Sequence, residues 1–174
     1  MSGISQMRLG TVDKIQEAGY LGAVRCFDHK DHSDPDAVTP LSAMKIKARL
    51  VLNDSGGNLT PGTGATYKAG YTGKRVGAAS GANAICHGIV DPYLSSVVAN
   101  GSYFWLIIEG PVDYVLAGSG GLTAGDLLQT AASGAFVTAT PGTNPIGHSG
   151  YAIEDIAADA EGQVYFHNPF APLD

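Results

Sequence analysis

Short apolar runs separated by turn-forming residues make up most of the chain after residue 54. The strongest run, Ser102-Tyr-Phe-Trp-Leu-Ile-Ile-Glu109, follows Asn100-Gly101 and precedes Gly110-Pro111. Aromatic and β-branched runs between such turn signals are typical of strands. Strands are predicted at 84–90, 103–109, 112–117, 126–130, 135–139, 149–153 and 163–167. Because no long helical period accompanies them, the pattern predicts an all-β fold, a small β-sandwich or barrel.

Residues 1–53 have a different texture, with little glycine and mixed polar and apolar positions. A short strand is predicted at Tyr20–Phe27, followed by a polar loop over Asp28–Asp36. Apolar and charged residues then alternate within 43–52, which predicts a strand with one solvent-exposed face. A helix is the second possibility there, because Ala, Met, Lys, Arg and Leu are good helix formers. We expect residues 1–53 to form an N-terminal arm outside a β-domain at 54–174.

An internal repeat is visible within the β-domain. The pattern G-x-N-x-I-x-H occurs at Gly81–His87 and again at Gly142–His148. Upstream of it, Leu59-Thr-Pro-Gly62 matches Leu122-Thr-Ala-Gly125 in the same order, once insertions of one or two residues are allowed. Matching pieces in one order indicate tandem units. We predict two similar β-units, about 54–111 and 117–170, that share one core. Convergent turn chemistry in a glycine-rich protein is the alternative explanation.

Composition narrows the class of protein. The 174 residues suit one domain, 44% of them are hydrophobic, and 24 glycines indicate many turns. No apolar run approaches the roughly 18 residues of a membrane helix, and the first residues lack the apolar segment of a signal peptide. We therefore expect no membrane association. Cys26 and Cys86 are too few for a disulfide framework or a four-cysteine zinc site and are expected to be reduced.

Charge is distributed unevenly along the chain, whose formal net charge is −6. All ten lysines and arginines lie in residues 1–75, together with seven acids, so this part carries +3. Residues 76–174 carry nine acids and no lysine or arginine. A duplex-binding surface needs cations that replace phosphate counterions, so nucleic acid is not an expected partner. The basic N-terminal part suits contact with an acidic protein.

No motif predicts catalysis, a metal or a cofactor. The loop Asp28–Asp36 is rich in Asp and His but lacks the spacing of an EF-hand, and a solvated turn explains it better. His87 and His148 occupy equivalent repeat positions and are expected to be packed, hydrogen-bonded side chains. Without basic neighbours, Phe104, Trp105 and Ile107 are expected in the core or at a subunit interface. A pocket assembled from distant residues stays possible.

The second repeat carries a recognisable pattern. Ala124-Gly125-Asp126 and Ser133-Gly134 lie in a predicted hairpin that is followed by Gly147 and Gly162. Over roughly residues 77–170 the chain resembles the capsid cement or head-decoration proteins of tailed bacteriophages. Residues 1–53 match no pattern of that family.

The resemblance implies a small, often oligomeric β-sandwich or barrel that binds the outside of an icosahedral capsid. It implies a non-enzymatic virion protein, assembled in the host cytoplasm, that stabilises contacts between major capsid subunits, with the major capsid protein as partner and a homo-dimer or trimer as its state. The basic segment would then supply the capsid-contacting residues, expected to be Arg8, Lys14, Arg25, Lys45, Lys47 and Arg49. The alternatives are a phage head-fibre or adhesion module that binds a host-surface glycan, and a hydrolase with dispersed site residues.

Overall fold

The computed structural model describes residues 9–10, 20–34, 36–79, 81, 84–140 and 149–167. These residues form strands and turns, which confirms the predicted all-β class. No described segment is a helix that could cross a membrane. The ten strands are β1 (Val24–Asp28), β2 (Lys45–Asn53), β3 (Gly64–Tyr67), β4 (Arg75–Ala78), β5 (Gly88–Val90), β6 (Tyr103–Leu116), β7 (Leu128–Thr130), β8 (Phe136–Thr138), β9 (Gly150–Ala152) and β10 (Glu161–His167).

Five strands close into a ring. β2 pairs with β4 in parallel, β4 with β3, β3 with β5, β5 with β6, and β6 again with β2. β1 extends this ring by pairing antiparallel with β2, from Val24↔Arg49 to Asp28↔Lys45. A closed ring leaves few free strand edges, which is the usual reason for barrel closure.

The alternation predicted within 43–52 is that of a strand, and the helix alternative is wrong. Ile46, Ala48 and Leu50 are fully buried, and Lys47 and Arg49 between them are half-buried. Period-two burial is what a strand with two different faces gives. Since β2 lies between β1, β4 and β6, residues 24–28 and 45–53 are part of the main sheet.

This placement corrects the expectation of an arm over residues 1–53. β2 pairs with β6 from Lys47↔Glu109 to Leu52↔Tyr103, so the β-body cannot close without it. Leu9 is also fully buried in the core. The shift in composition at residue 54 marks a change in turn density, and it does not separate an extension from a domain.

The expected turn at Gly110-Pro111 is absent, because β6 continues through it for 14 residues. Gly110 has a φ of 115°, a left-handed value that only glycine adopts readily. β6 pairs with β2 and β5 before this point and with β10 after it. Beyond Glu109 the strand has one paired neighbour instead of two, a setting in which proline is tolerated.

The second set of strands consists of β7, β8, β9 and β10, and β10 joins it to the ring by pairing with β6. β9 pairs with β10 at the end of the eight-stranded sheet. β7 and β8 form a separate hairpin. The order β4-β3-β5-β6 therefore has a counterpart in β8-β7-β9-β10, with an isolated bridge between Leu127 and Tyr151 linking β7 to β9.

Backbone hydrogen bonds recur in the same way in both sets. Gly62 N–H donates to the Val90 carbonyl at 2.9 Å, and Gly125 N–H donates to the Ala152 carbonyl at 2.9 Å. Both glycines have positive φ. The second G-x-N-x-I-x-H copy, at 142–148, lies outside the described residues, so superposition of 54–111 on 117–170 stays a prediction.

Two apolar clusters lie on opposite faces of β2 and β6. Val51, Phe104 and Leu106 belong to the cluster within the ring. Leu50, Trp105 and Ile107 point the other way, into a larger cluster that includes Phe136 and Phe166 of the second set of strands. The second set thus covers the outside of the ring, and together they bury both faces of its central strands.

Candidate functional site

A buried carboxylate, Asp113 on β6, lies at the centre of a polar cluster. The Tyr93 hydroxyl donates to its Oδ2 at 2.9 Å, and the Gln163 amide of β10 donates to its Oδ1. His29 Nε2 lies 3.2 Å from Oδ2. Three separate parts of the chain are thereby tied to one carboxylate, which satisfies a charge that would otherwise be costly to bury.

The cluster extends to the loop between β1 and β2. Ser42 Oγ lies 2.9 Å from His29 Nδ1 and also accepts the Met44 N–H at 3.2 Å. If His29 donates from Nε2 to Asp113, its Nδ1 accepts from Ser42. Ser42, His29 and Asp113 are the residue types of a hydrolase triad, in which the histidine removes the serine proton. The same bonds also hold the loop against β6.

Tyr114, the next residue on β6, lines two cavities. One, of about 320 Å³, is also lined by Leu41, Asp113, Glu154, Glu161, Gly162 and Gln163. The lining of the other, of about 330 Å³, includes His32, Tyr93 and Ser95. Tyr114 has a φ of 57° and is 41% exposed. A half-exposed aromatic ring among carboxylate and amide groups can stack on and hydrogen-bond to a small polar ligand.

Sequence reasoning did not single out Asp113, Tyr114 or Tyr93. The available signal in the sequence was Asp113 itself, a charged residue between Val112 and Val115 in the strand predicted at 112–117. His29 and Asp113 are 84 positions apart, so no local spacing connects them.

The predicted capsid-contacting residues are distributed over β1 and β2. Arg8 and Lys14 lie outside the described residues. Lys45 is exposed and forms an ion pair with Asp28, whereas Lys47, Arg49 and Arg25 are half-buried. Because successive side chains of a strand alternate between its faces, Lys45, Lys47 and Arg49 lie on the face opposite Ile46, Ala48 and Leu50.

Phe104, Trp105 and Ile107 are all fully buried in the described structure. Trp105 packs edge-to-face on Phe27, with ring centroids 5.3 Å apart. Their side chains are therefore core residues of this chain. Trp105 Nε1 has no hydrogen-bond partner among the described residues.

The loop Asp28–Asp36 is held by the contacts of His29 with Asp113 and Ser42 and also by short-range bonds of its own. Because His29 and His32 are buried, the expectation of a solvated turn is wrong for these two residues. Asp31 accepts from the Ser33 N–H at 2.9 Å, and His32 Nε2 lies 2.8 Å from the Asp28 carbonyl oxygen. His32 itself is buried between Phe27 and Tyr93. No cluster of metal-ligating side chains occurs among the residues that the structure describes.

Two buried groups, His32 and Asp91, and the half-buried His87 make stability depend on pH. Burial lowers the pKa of His32 and of His87, which packs on Tyr67. Complete burial raises the pKa of Asp91 to about 7, even though Asp91 accepts the N–H groups of Gly10 and Tyr93. The histidines therefore contribute stability above their unfolded pKa of about 6.5, and this contribution is lost as the pH falls through their lower folded values.

Asp91 acts in the opposite direction. The folded state keeps its proton up to about pH 7, whereas the unfolded state loses it near pH 4, so its contribution is full below pH 4 and lost as the pH rises to 7. We expect Asp91→Asn to lose stability more steeply than wild type between pH 7 and pH 5, because the opposing group is gone. Urea unfolding at four pH values between 5 and 8 measures this difference. Parallel stability curves for the two proteins would contradict it.

Comparison with known proteins gives a structural neighbour but no sequence family. No family profile and no curated protein sequence matches the chain. Its fold is similar to the crystal structure of the N base of head fiber gp8.5 in bacteriophage phi29, with a TM-score of 0.52 and 18% sequence identity. The match covers 71% of this chain and 95% of that chain. At this identity the likeness is one of fold.

Proposed function

We propose that this protein is a structural, non-enzymatic component of a tailed-phage head, which binds the outside of the capsid. The observation that carries the proposal is the fold shared with nearly the whole N base of a phage head fiber. The sequence resemblance to head-decoration proteins over roughly residues 77–170 rests on motifs and does not depend on that fold. Both point to a protein of the phage head.

The distribution of charge supports attachment through the ring. All lysines and arginines precede residue 76, and those the structure describes lie on or between β1, β2, β3 and β4. Among Lys, Arg, Asp and Glu, the later strands contain only Asp and Glu. Complementary potentials favour docking, and contacts of like sign can cost several kcal/mol. In this proposal the ring faces an acidic capsid exterior, its partner is the major capsid protein, and the second set of strands projects outward.

The test is decoration of empty heads. Purified full-length protein is mixed with heads that lack it, and bound copies are counted by cryo-electron microscopy over a series of concentrations. We expect regular decoration at fixed capsid positions. Lys45→Gln with Lys47→Gln is expected to weaken decoration about tenfold, since each lost contact removes a partly screened attraction. Ala132→Glu with Ala157→Glu makes the same change in net charge on the second set of strands and should decorate normally.

The structure limits how many N-terminal residues can be deleted without loss of core contacts. Leu9 is buried in the core, and Gly10 N–H donates to Asp91 at 2.6 Å. Deletion of residues 1–18 would therefore remove core contacts as well as Arg8 and Lys14. Deletion of residues 1–7 keeps Arg8, Leu9 and Lys14, and it tests whether the deleted residues contribute to decoration. Absence of any decoration by wild-type protein would refute the proposed function.

Binding of a host-surface glycan is the second candidate, and the cavities beside Tyr114 favour it. Neutral saccharides suit the site better than anionic ones, because its lining includes Asp113, Glu154 and Glu161 and no lysine or arginine. Binding to intact host cells, reduced by Tyr114→Ala and unaffected by Lys45→Gln with Lys47→Gln, would favour this function over attachment to heads.

A further inference from the structure

A second basic surface lies at the connection between β3 and β4, apart from Lys45 and Lys47. Arg75 stacks on the Tyr71 ring, with its guanidinium carbon 4.2 Å from the centroid. Tyr71 is 45% exposed, and Tyr20, on the turn before β1, is 50% exposed. We call this the hairpin surface, and it consists of Tyr20, Arg49, Lys68, Tyr71, Lys74 and Arg75.

Contacts around two glycines bring Arg49, Lys74 and the turn before β1 together. A Cβ on Gly73 would lie 2.5 Å from an Arg49 guanidinium nitrogen, so the Arg49 side chain lies against the hairpin turn. A Cβ on Gly22 would lie 3.2 Å from the Gly73 carbonyl oxygen and 3.6 Å from the Lys74 side chain. The turn that holds Tyr20 therefore packs directly against the hairpin.

The hairpin connection has an ordered backbone. Lys68 N–H donates to the Arg75 carbonyl at 2.9 Å across the hairpin, and Tyr71 N–H donates to the Lys68 carbonyl at 3.0 Å. Lys74 N–H donates to the Tyr71 carbonyl at 2.9 Å. Side chains held on such a backbone lose less freedom on binding than those of a mobile tail.

The surface carries an excess of positive charge. It presents four cations, and Asp54, 3.5 Å from Arg75, is the acid that pairs with them among the described residues. The Nε of Arg49 is buried and has no hydrogen-bond partner among those residues.

We propose that the hairpin surface binds an acidic surface of a partner protein. Tyrosine and arginine are the residue types enriched in protein–protein interfaces, and here they are already stacked together. Four cations are few for a duplex, and the acidic remainder of the chain would repel DNA. Within the proposed function this partner is a capsid subunit, and to that extent the proposal rests on the proposed function.

The test uses poly-L-glutamate as an acidic polypeptide that needs no phage protein. Binding to the full-length chain is measured by titration at low salt, for wild type and for Lys68→Gln with Lys74→Gln. We expect at least tenfold weaker binding by the hairpin variant. The control, Ala132→Glu with Ala157→Glu, lowers the net charge equally on the second set of strands and is expected to bind within threefold of wild type. Urea unfolding verifies that both variants are folded.

Equal loss of binding in the hairpin variant and the control would overturn the proposal, because it would show an effect of net charge alone. Duplex DNA or anionic phospholipid vesicles binding wild type more tightly than poly-L-glutamate would also overturn it, in favour of those partners. Empty heads form the last arm. If wild type binds poly-L-glutamate through the hairpin surface but does not decorate heads, the proposed function fails while the acidic-protein surface stands.

Discussion

Replacing Gly110 with alanine is expected to cost more than about 4 kcal/mol of folding free energy, which would leave little folded protein. The φ of 115° at Gly110 is strained for any residue with a Cβ. The added Cβ would also lie 2.4 Å from the Lys45 carbonyl oxygen and 3.1 Å from the Ile46 Cα. These are backbone atoms of a paired strand and cannot move aside cheaply. Expression yield and urea unfolding of the purified variant measure the effect.

Two other glycines separate backbone strain from steric overlap. Gly101 has a φ of 81° and no atom near its would-be Cβ, so Gly101→Ala should cost roughly 1–2 kcal/mol. Gly57 has open space and no left-handed φ, so Gly57→Ala should change stability by less than about 0.5 kcal/mol. If Gly110→Ala is no more destabilised than Gly101→Ala, the close approach of β6 to β2 is wrong.

Trp105→Ala is expected to lower stability by roughly 3–5 kcal/mol, which for a chain of this size corresponds to a fall in Tm of roughly 6–20 °C. Trp105 is fully buried, and its removal leaves a cavity in the apolar cluster that includes residues of the ring and of the second set. Differential scanning calorimetry measures the shift.

Trp105→Phe is the matched control. It keeps most of the buried aromatic surface and removes an indole N–H that has no partner among the described residues, so it should cost much less than the alanine variant. Similar melting temperatures for the wild type and Trp105→Ala would contradict the burial of Trp105 in the core.

Strands with strong side-chain signals were predictable from sequence, and strands formed through backbone pairing were not. The run at 103–109 carries aromatic and β-branched residues, whose burial is favourable whichever strands they pair with. β3 (Gly64–Tyr67) and β4 (Arg75–Ala78) are rich in Gly and Ala and were missed. Gly64 is so closely packed that a Cβ would lie 2.5 Å from Thr130. Such contacts depend on the partner strand and leave no periodic pattern.

The same limit explains why the pairing of the N-terminal strands and the partners of Asp113 could not be predicted from the sequence. The strand character of 43–52 was readable from its alternation, but its place between β1, β4 and β6 depends on pairings with distant residues. Asp113 is recognisable as unusual in an apolar run, yet its partners come from three distant parts of the chain. Local sequence patterns therefore indicate that a segment is a strand more readily than they indicate which distant residues that strand contacts.

The long strand β6 also determines when the protein can finish folding during synthesis. β2 leaves the ribosome before β6, and its apolar face of Ile46, Ala48 and Leu50 stays uncovered until Leu52 can pair with Tyr103 and Lys47 with Glu109. Contacts between such distant residues must overcome the entropy of closing a long loop, which slows folding. β10, made last, also pairs with β6. Each set of strands therefore assembles on one shared strand from the middle of the chain, and the N-terminal strands stay exposed to aggregation until that strand has been made.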